Sequence, residues 1–253
     1  MNLPKYDFSQ RSAFVTGAGG GMGEEITLSL LRAGAYVTAV DLKPCPEAIA
    51  KFKDRIHFAQ GDIRNRAFVE KTFGYHQEHS GGLDFLANVA GVLWFDRDKS
   101  LLEIDLDVWD EVFDINLKSM VLIARAAVPL MRKRGSGSMV HFSTIQWMRG
   151  DPVPQDAYQA SKAAVSAMSR SLASQLAAEK IRSNTVLPGP VFTPMQERWN
   201  TEKIRGQVAR HIPLQRIGNP VDLSQAAMFL FSDAGSFITG IDLPVDGGML
   251  LRG

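Results

Sequence analysis

The chain has 253 residues, of which 45% are hydrophobic and 22% charged, values typical of a globular protein with one domain spanning 1–253. Its formal net charge of +1 gives no electrostatic footprint for nucleic acid or an anionic membrane, so neither is predicted as a partner. The single cysteine, Cys45, excludes an internal disulfide and a cysteine-cluster metal site, and the histidine spacings predict no metal site. The absence of an apolar run of secretory or transmembrane length favours a cytoplasmic protein.

Short apolar runs alternate with longer amphipathic ones along the whole chain. The short runs predict strands at 12–17, 35–41, 55–62, 83–91, 138–144, 181–189 and 241–248. The longer runs predict helices at 22–34, between the third and fourth strands, at 107–135, at 158–179 and at 220–233. This alternation predicts an α/β fold in which a doubly wound parallel sheet is covered by helices on both faces.

A glycine-rich turn, "TGAGGGMG", joins the first predicted strand to the first predicted helix. Glycine lets the backbone turn sharply and lets a ligand approach, and a helix N-terminus attracts phosphate. The strict G-x-G-x-x-G pattern fails because Met22 occupies its third glycine position, so the usable pattern runs through Gly17, Gly21 and Gly23. The turn therefore predicts a dinucleotide-binding site, and the alternative is a glycine-rich turn without a ligand.

Asp41 ends the second predicted strand, 24 residues after Gly17. A carboxylate at about this distance binds the adenosine ribose hydroxyls and repels a 2′-phosphate. The position therefore favours NAD over NADP, although Lys43 could offset part of the repulsion. The alternative is that Asp41 only caps the strand.

Tyr158 and Lys162 stand four residues apart in "YQASK", at the start of a predicted helix. Residues i and i+4 share a helix face, so the phenol and the ammonium can reach one site. An ammonium near a phenol favours the phenolate and lowers its pKa towards the working pH, where general acid–base catalysis is most effective. Taken alone, the pattern also fits a surface pair without chemistry.

With these motifs in place, the sequence resembles the classical short-chain dehydrogenase/reductase family over nearly its whole length. The matching stretches, in order, are "TGAGGGMG", Asp41, "GD" at 61–62, "NVAG" at 88–91, Asn116, "HFST" at 141–144, "YQASK", "PGPVFTP" at 188–194, "PLQRIGNPVDL" and "VDGG". The resemblance implies a Rossmann-type, seven-stranded parallel sheet with three helices on each face. It also implies a homo-oligomer, most simply a homotetramer.

The resemblance implies an oxidoreductase that interconverts a secondary alcohol and a ketone with NAD. It assigns catalytic roles to Asn116, Thr144, Tyr158 and Lys162. Asn116 would hold a water linked to the lysine, or else be a helix-surface amide. It assigns cofactor contacts to the glycine turn with Met22 and Asp41, to Tyr158 and Lys162, and to Asp62, Ile63, Asn88, Ala90, Gly91, Pro188, Gly189, Val191 and Thr193. The family commonly has serine where Thr144 stands, so Ser143 is the alternative for orienting the substrate oxygen.

The segment at about 188–218 is expected to cover the active site. The candidates for an apolar substrate pocket are Trp94, Trp147, Phe192, Met195 and Trp199, which at this spacing are equally typical of a core. No feature chooses among a sugar, a polyol, a hydroxy acid, a steroid and an acyl thioester. Two other functions remain open: an NADP-dependent ketone reductase, and a dinucleotide-binding regulatory protein without catalysis.

Overall fold

The computed structural model describes residues 3–150 and 153–251. Its centre is a sheet of seven strands that all run parallel, in the order β3-β2-β1-β4-β5-β6-β7. The strands are β1 (Ser12–Thr16), β2 (Tyr36–Asp41), β3 (Ile56–Gln60), β4 (Phe85–Asn88), β5 (Gly137–Phe142), β6 (Ile181–Pro188) and β7 (Asp242–Val245). The predicted doubly wound parallel sheet is confirmed.

Helices cover both faces of this sheet. They are α1 (Gly21–Arg32), α2 (Glu47–Ala50), α3 (Arg66–Ser80), α4 (Leu106–Phe113), α5 (Ser119–Arg134), α6 (Asp156–Leu176), α7 (Glu202–Arg210) and α8 (Pro220–Phe231). Helices α1, α2 and α8 pack on one face, and α3, α5 and α6 pack on the other. In the part of the chain that the structure describes, no helix is long and apolar enough to cross a bilayer.

Two apolar cores lie on the two faces because successive strand residues point in opposite directions. In β1, Ala13 and Val15 pack with α1 and α8, whereas Phe14 packs with α3 and α5. The central strand β1 is therefore buried along its whole length, and its three middle residues are apolar, as a parallel strand covered on both faces requires.

The predicted helical region at 107–135 is confirmed, but it is not one regular α-helix. It is divided into α4 and α5 by a π-helical turn at Asp114–Lys118. The predicted strands at 83–91 and 241–248 are also too long, since β4 ends at Asn88 and β7 at Val245. Within 188–218, the structure forms a 3₁₀ helix (Pro194–Trp199) followed by α7.

Candidate functional site

The glycine turn lies between β1 and α1 and packs against the residues that follow β4. A Cβ at Gly17 would lie 2.7 Å from the Ala90 backbone nitrogen, and one at Gly23 would lie 2.0 Å from the Gly17 carbonyl oxygen. Gly17 also has φ of 76°, which favours glycine. The close packing brings the N-terminus of α1, which has no side-chain cap, to the carboxyl edge of the sheet.

Asp41 holds this turn against the end of β2. Its Oδ2 accepts a hydrogen bond from the Gly19 amide at 2.8 Å, and its Oδ1 accepts one from the Lys43 amide at 2.8 Å. The carboxylate also borders the cavity described next. Asp41 therefore caps the end of its strand, as the simpler interpretation proposed, and also faces the cavity.

A cavity of about 430 Å³ opens at the carboxyl ends of β1, β2 and β4, where ligands of open α/β sheets bind. Predicted site residues that border it are Gly17, Gly21, Met22, Gly23, Asp41, Asp62, Ile63, Ala90, Gly91, Thr193, Trp94 and Met195. Lys43, which the sequence analysis placed beside Asp41, also borders it, and sequence reasoning missed other lining residues, among them Gly19, Gly20, Arg64, Leu93 and Ile115. Most of these residues are sequence neighbours of a predicted site residue, and this proximity is the feature of the sequence that could have identified them.

Arg64 forms an ion pair with Asp62 at the edge of the cavity. Its guanidinium donates to both carboxylate oxygens of Asp62, at 2.7 Å to Oδ2 from Nη2 and 3.1 Å to Oδ1 from Nε. These hydrogen bonds hold the pKa of the Asp62 carboxyl below its usual range. Both groups border the cavity, so any ligand that binds Asp62 meets a paired carboxylate.

Several residues predicted to touch the cofactor do not border the cavity. Asn88 lies within the sheet, where its Nδ2 donates to His141 Nδ1 at 3.0 Å. Pro188 ends β6, and the Gly189 amide donates to Val245 at 3.1 Å. Val191 packs into the core beneath α8. Of the predicted residues at 188–193, only Thr193 borders the cavity.

Tyr158 and Lys162 lie one turn apart on α6, with Lys162 Nζ 5.9 Å from the centre of the tyrosine ring. The lysine is buried and donates to the Phe142 carbonyl oxygen at 2.8 Å, and burial lowers its pKa to about 8. Burial raises the pKa of Tyr158 to about 12, against a hydrogen bond with Thr144 that lowers it. The direction is opposite to the one expected from the lysine, because desolvation of the phenolate exceeds the stabilisation by its neighbours.

The two candidates at the end of β5 have different partners. The Ser143 hydroxyl donates to the Lys162 carbonyl oxygen at 2.7 Å, which ties the strand to α6. The Thr144 hydroxyl accepts from the Gln146 amide at 3.3 Å and lies near enough to the Tyr158 phenol to lower its pKa. Thr144, the residue favoured from the sequence, is therefore the one that faces the tyrosine.

Asn116 lies in the π-helical turn and is fully buried. Its Oδ1 accepts from the Val92 amide at 2.7 Å, and its Nδ2 donates to the Val92 carbonyl at 3.0 Å and to Ser161 Oγ at 3.1 Å. A Cβ at Gly91 would lie 3.0 Å from both Asn116 Oδ1 and Lys162 Nζ. Gly91 thus forms the wall between the cavity and the buried lysine.

The aromatic and methionine candidates lie in three settings: the cavity, the core and the exposed surface. Trp94 and Met195 border the cavity, and the Arg97 guanidinium lies 4.4 Å from the centre of the Trp94 ring. Trp199 is only 7% exposed and does not line the cavity. Phe192 is exposed beneath Arg205, and the indole nitrogen of Trp147 is buried without a partner among the described residues.

The cavity fits the dinucleotide that the resemblance implies. Gly19, Gly20 and Gly21 border it, and the position of a Cβ at Gly20 is open for 4 Å. The N-terminus of α1 beside them offers amide donors and a partial positive charge to phosphate. The Asp41 carboxylate at the end of β2 offers acceptors for ribose hydroxyls.

Comparisons with known proteins agree with this architecture. A family model described as enoyl-(acyl carrier protein) reductase matches residues 17–250. A probable short-chain type dehydrogenase/reductase from Bradyrhizobium diazoefficiens is 36% identical, with 96% of this chain and 88% of the relative covered. The 3-oxoacyl-(acyl-carrier-protein) reductase FabG from Thermotoga maritima is 34% identical, with 94% and 96% covered.

Two further matches cover nearly complete chains. A probable galactose dehydrogenase, GalD, from Rhizobium meliloti is 31% identical, with 98% of this chain and 100% of the relative covered. The crystal structure of gox2181 is 28% identical and superposes with a TM-score of 0.87 over 98% of each chain. With its parallel sheet and glycine turn, the chain belongs to the classical short-chain dehydrogenase/reductase family, whose members are oxidoreductases that act on CH–OH groups with NAD(P).

Proposed function

We propose that the protein is an NAD-dependent oxidoreductase that interconverts a secondary alcohol and a ketone, with Tyr158 as general acid and base. The observation that supports it most is the position of Tyr158 on α6, where Nζ of the buried Lys162, one helical turn away, lies 5.9 Å from the centre of the tyrosine ring. Lys162 in turn lies behind Gly91, at the wall of the cavity that the glycine turn borders.

In this proposal, nicotinamide supplies the hydride chemistry, and the protein binds, orients and handles one proton. The glycine turn and the N-terminus of α1 bind the pyrophosphate, and Asp41 binds the ribose. Thr144 donates a hydrogen bond to the substrate oxygen, and Tyr158 removes its proton during alcohol oxidation or donates one during ketone reduction.

The segment at 188–218 is proposed to cover the reacting end of the cavity. Thr193 and Met195 border the same cavity as Trp94, and Met195 is 45% exposed. These side chains can meet a substrate from two sides. The names of the relatives include an acyl-carrier-protein reductase and a galactose dehydrogenase, so both an acyl thioester and a sugar belong among the substrates to be tested.

The test is turnover by the purified protein with NAD against galactose, polyols, hydroxy acids, steroids and 3-hydroxyacyl thioesters. The Tyr158→Phe variant is expected to bind NADH as the wild type does and to lose turnover, because only the proton-transfer group is removed. Full activity of this variant would exclude the proposed role. NADH binding by the wild type without turnover of any compound would instead favour a dinucleotide-binding regulatory protein.

The preference for NAD is tested separately, by fluorescence titration with NADH and NADPH. Tighter binding of NADH is expected, because the Asp41 carboxylate repels a 2′-phosphate. Asp41→Asn should reduce that preference while keeping one acceptor for a backbone amide. Asp62→Asn is the matched control, since Asp62 also borders the cavity but is paired with Arg64. Tighter binding of NADPH by the wild type would overturn the assignment.

We also propose a homotetramer. Several large apolar side chains are exposed on the single chain, including Leu102, Phe237 and Leu251, and such side chains are often covered by another subunit. Light scattering of the purified protein at micromolar concentration tests this, and a monomer would contradict it.

A further inference from the structure

A buried carboxylate from outside α6 caps the N-terminus of that helix. Asp98, in the segment between β4 and α4, is 2% exposed. Its Oδ1 accepts a hydrogen bond from the Ala157 amide at 3.1 Å, and its Oδ2 accepts one from the Tyr158 amide at 2.8 Å. The residue that precedes the helix, Gln155, makes no side-chain capping bond. Asp98 therefore takes the place of the local cap from about 60 positions away in the sequence.

The contact between the two segments is reciprocal. Asp156, the first residue of α6, accepts from the Leu101 amide through Oδ2 at 2.8 Å. Its own amide donates to the Lys99 carbonyl oxygen at 3.3 Å. Four hydrogen bonds thus run in both directions between residues 98–101 and the first turn of α6. Such a set fixes the position of the helix start as well as its stability.

The same segment carries a wall of the cavity. The Asp98 amide donates to the Trp94 carbonyl oxygen at 2.9 Å, and Trp94 borders the cavity. A single residue therefore links this wall to the backbone of Tyr158. The Tyr158 side chain then reaches Thr144.

Capping a helix with a buried carboxylate is energetically unfavourable unless other interactions compensate. Taking a carboxylate out of water costs free energy, and a serine, threonine or aspartate at position 155 could cap the helix at the surface. Charge-assisted hydrogen bonds from two amides, together with the partial positive charge of the helix N-terminus, offset that cost. What a local cap could not supply is a fixed distance between the helix start and the Trp94 segment.

We propose that Asp98 is a positioning residue for Tyr158, which holds the tyrosine backbone so that its phenol stays against Thr144 and in register with Trp94. This inference rests on the proposed role of Tyr158 as the acid and base. Asp98 itself touches no reacting atom. Displacing a catalytic group by about 1 Å can lower the rate on the order of a hundredfold. Loss of the residue that positions Tyr158 is therefore expected to lower kcat strongly.

The first test measures amide hydrogen exchange at Ala157 and Tyr158. Asp98→Asn has the same shape but places an NH₂ group against one of the two amides, so both should exchange about tenfold faster or more. The matched control is Asp105→Asn, in the same segment, because Asp105 caps α4 through the Asp107 amide at 2.9 Å and has no capping bond to α6. Unchanged exchange at Ala157 and Tyr158 in Asp98→Asn would overturn the proposal.

The second test is a double-mutant cycle on kcat, with the alcohol that is oxidised fastest in the substrate panel. Asp98→Asn should lower kcat by about tenfold while NADH binding stays unchanged. Thr144→Val should lower kcat by a smaller factor in the Asp98→Asn background than in the wild type, because displacement of Tyr158 already weakens its interaction with Thr144. Multiplicative effects would show that Asp98 only stabilises the fold, and would reject the proposal.

Two further variants keep the outcomes distinct. Asp98→Glu retains the charge and is expected to keep the protein folded if Asp98→Asn does not fold, with an intermediate loss of kcat. Asp105→Asn should leave kcat unchanged. Full activity of Tyr158→Phe would reject the proposed function itself. An inactive Tyr158→Phe combined with fully active Asp98 variants would reject only the positioning role.

Discussion

At the scale of single residues, the glycine turn contains positions with opposite tolerance to a side chain. A Cβ at Gly23 would lie 2.0 Å from the Gly17 carbonyl oxygen, a distance at which backbone must move. Gly23→Ala is therefore expected to lower the free energy of unfolding by about 1–3 kcal/mol and to weaken NADH binding. Urea denaturation and fluorescence titration measure the two effects.

Gly20→Ala is the control for this prediction. Gly20 has an extended backbone with φ of 165°, and a Cβ there would meet no atom within 4 Å. The free energy of unfolding should change by less than about 0.5 kcal/mol. An equal loss of stability in the two variants would contradict the explanation from close packing.

Individual side chains show which features of the site can be predicted from the sequence and which cannot. Thr144 was favoured over Ser143 from its place in the family pattern, and in the structure Ser143 has a different partner, the Lys162 carbonyl oxygen, while Thr144 lies near Tyr158. The pKa of Tyr158 was expected in the wrong direction, because the neighbouring charge is visible in the sequence but the degree of burial is not. Asp98 was missed because its partners are about 60 residues away and no local motif marks it.

At the scale of elements, α3 carries a glycine that serves no visible structural purpose. Gly74 lies in the interior of this helix, is exposed, and a Cβ there would meet no atom within 4 Å. Glycine destabilises a helix interior because its unfolded state is more flexible. Gly74→Ala should therefore raise the free energy of unfolding by about 0.5–1 kcal/mol, measured by urea denaturation.

The end of the same helix provides a control of opposite sign. Gly81 caps α3 with φ of 73°, in the left-handed region. Gly81→Ala should lower the free energy of unfolding by about 1 kcal/mol, because a Cβ is disfavoured there. Stabilisation by both alanine substitutions would contradict the distinction between helix interior and helix cap.

The π-helical turn shows which features of an element escape a sequence pattern. The sequence pattern predicts one long helical region at about 107–135, and the structure is helical throughout this region. The π-helical turn at Asp114–Lys118 changes the rotation per residue without changing the hydropathy pattern. This turn carries Asn116, whose amide bonds Val92 and Ser161. The type of the element was predictable, and the irregularity that forms the site was not.

At the scale of the whole molecule, two buried histidines make stability depend on pH. Burial lowers the pKa values of His76 and His141 from 6.5 to about 4. The unfolded chain therefore binds more protons than the folded protein between these values, and stability falls as the pH falls. Each histidine should cost about 2 kcal/mol between about pH 7 and pH 5, which urea denaturation at several pH values measures.

Replacing one buried histidine should flatten this dependence. His76→Gln removes a group that bonds Thr38 Oγ1 at 2.8 Å, so the variant is expected to be less stable at neutral pH but to lose less on acidification. His79→Gln is the matched control, because His79 lies on the same helix and is exposed. Identical pH dependence in the wild type and His76→Gln would contradict the assignment.

The overall architecture was the most predictable level. Seven short runs rich in apolar residues, separated by helices, leave few alternatives to a parallel sheet covered on both faces, and right-handed crossovers narrow the topology further. The strand ends were less predictable. For example, the run at 83–91 continues past β4 into the residues that border the cavity, because apolar character there serves the ligand site as well as the core.

The position of β1 in the sheet has a consequence for biosynthesis. On one side it pairs with β2, which follows within about 20 residues, but its other neighbour is β4, with Ala13 opposite Phe85. A growing polypeptide therefore displays the unpaired amides and carbonyls of a central apolar strand until Phe85–Asn88 have left the ribosome. Open edges of this kind recruit other chains into aggregates. Nascent chains that stall before β4 is synthesised are therefore expected to be the most prone to aggregation and to benefit most from binding a chaperone.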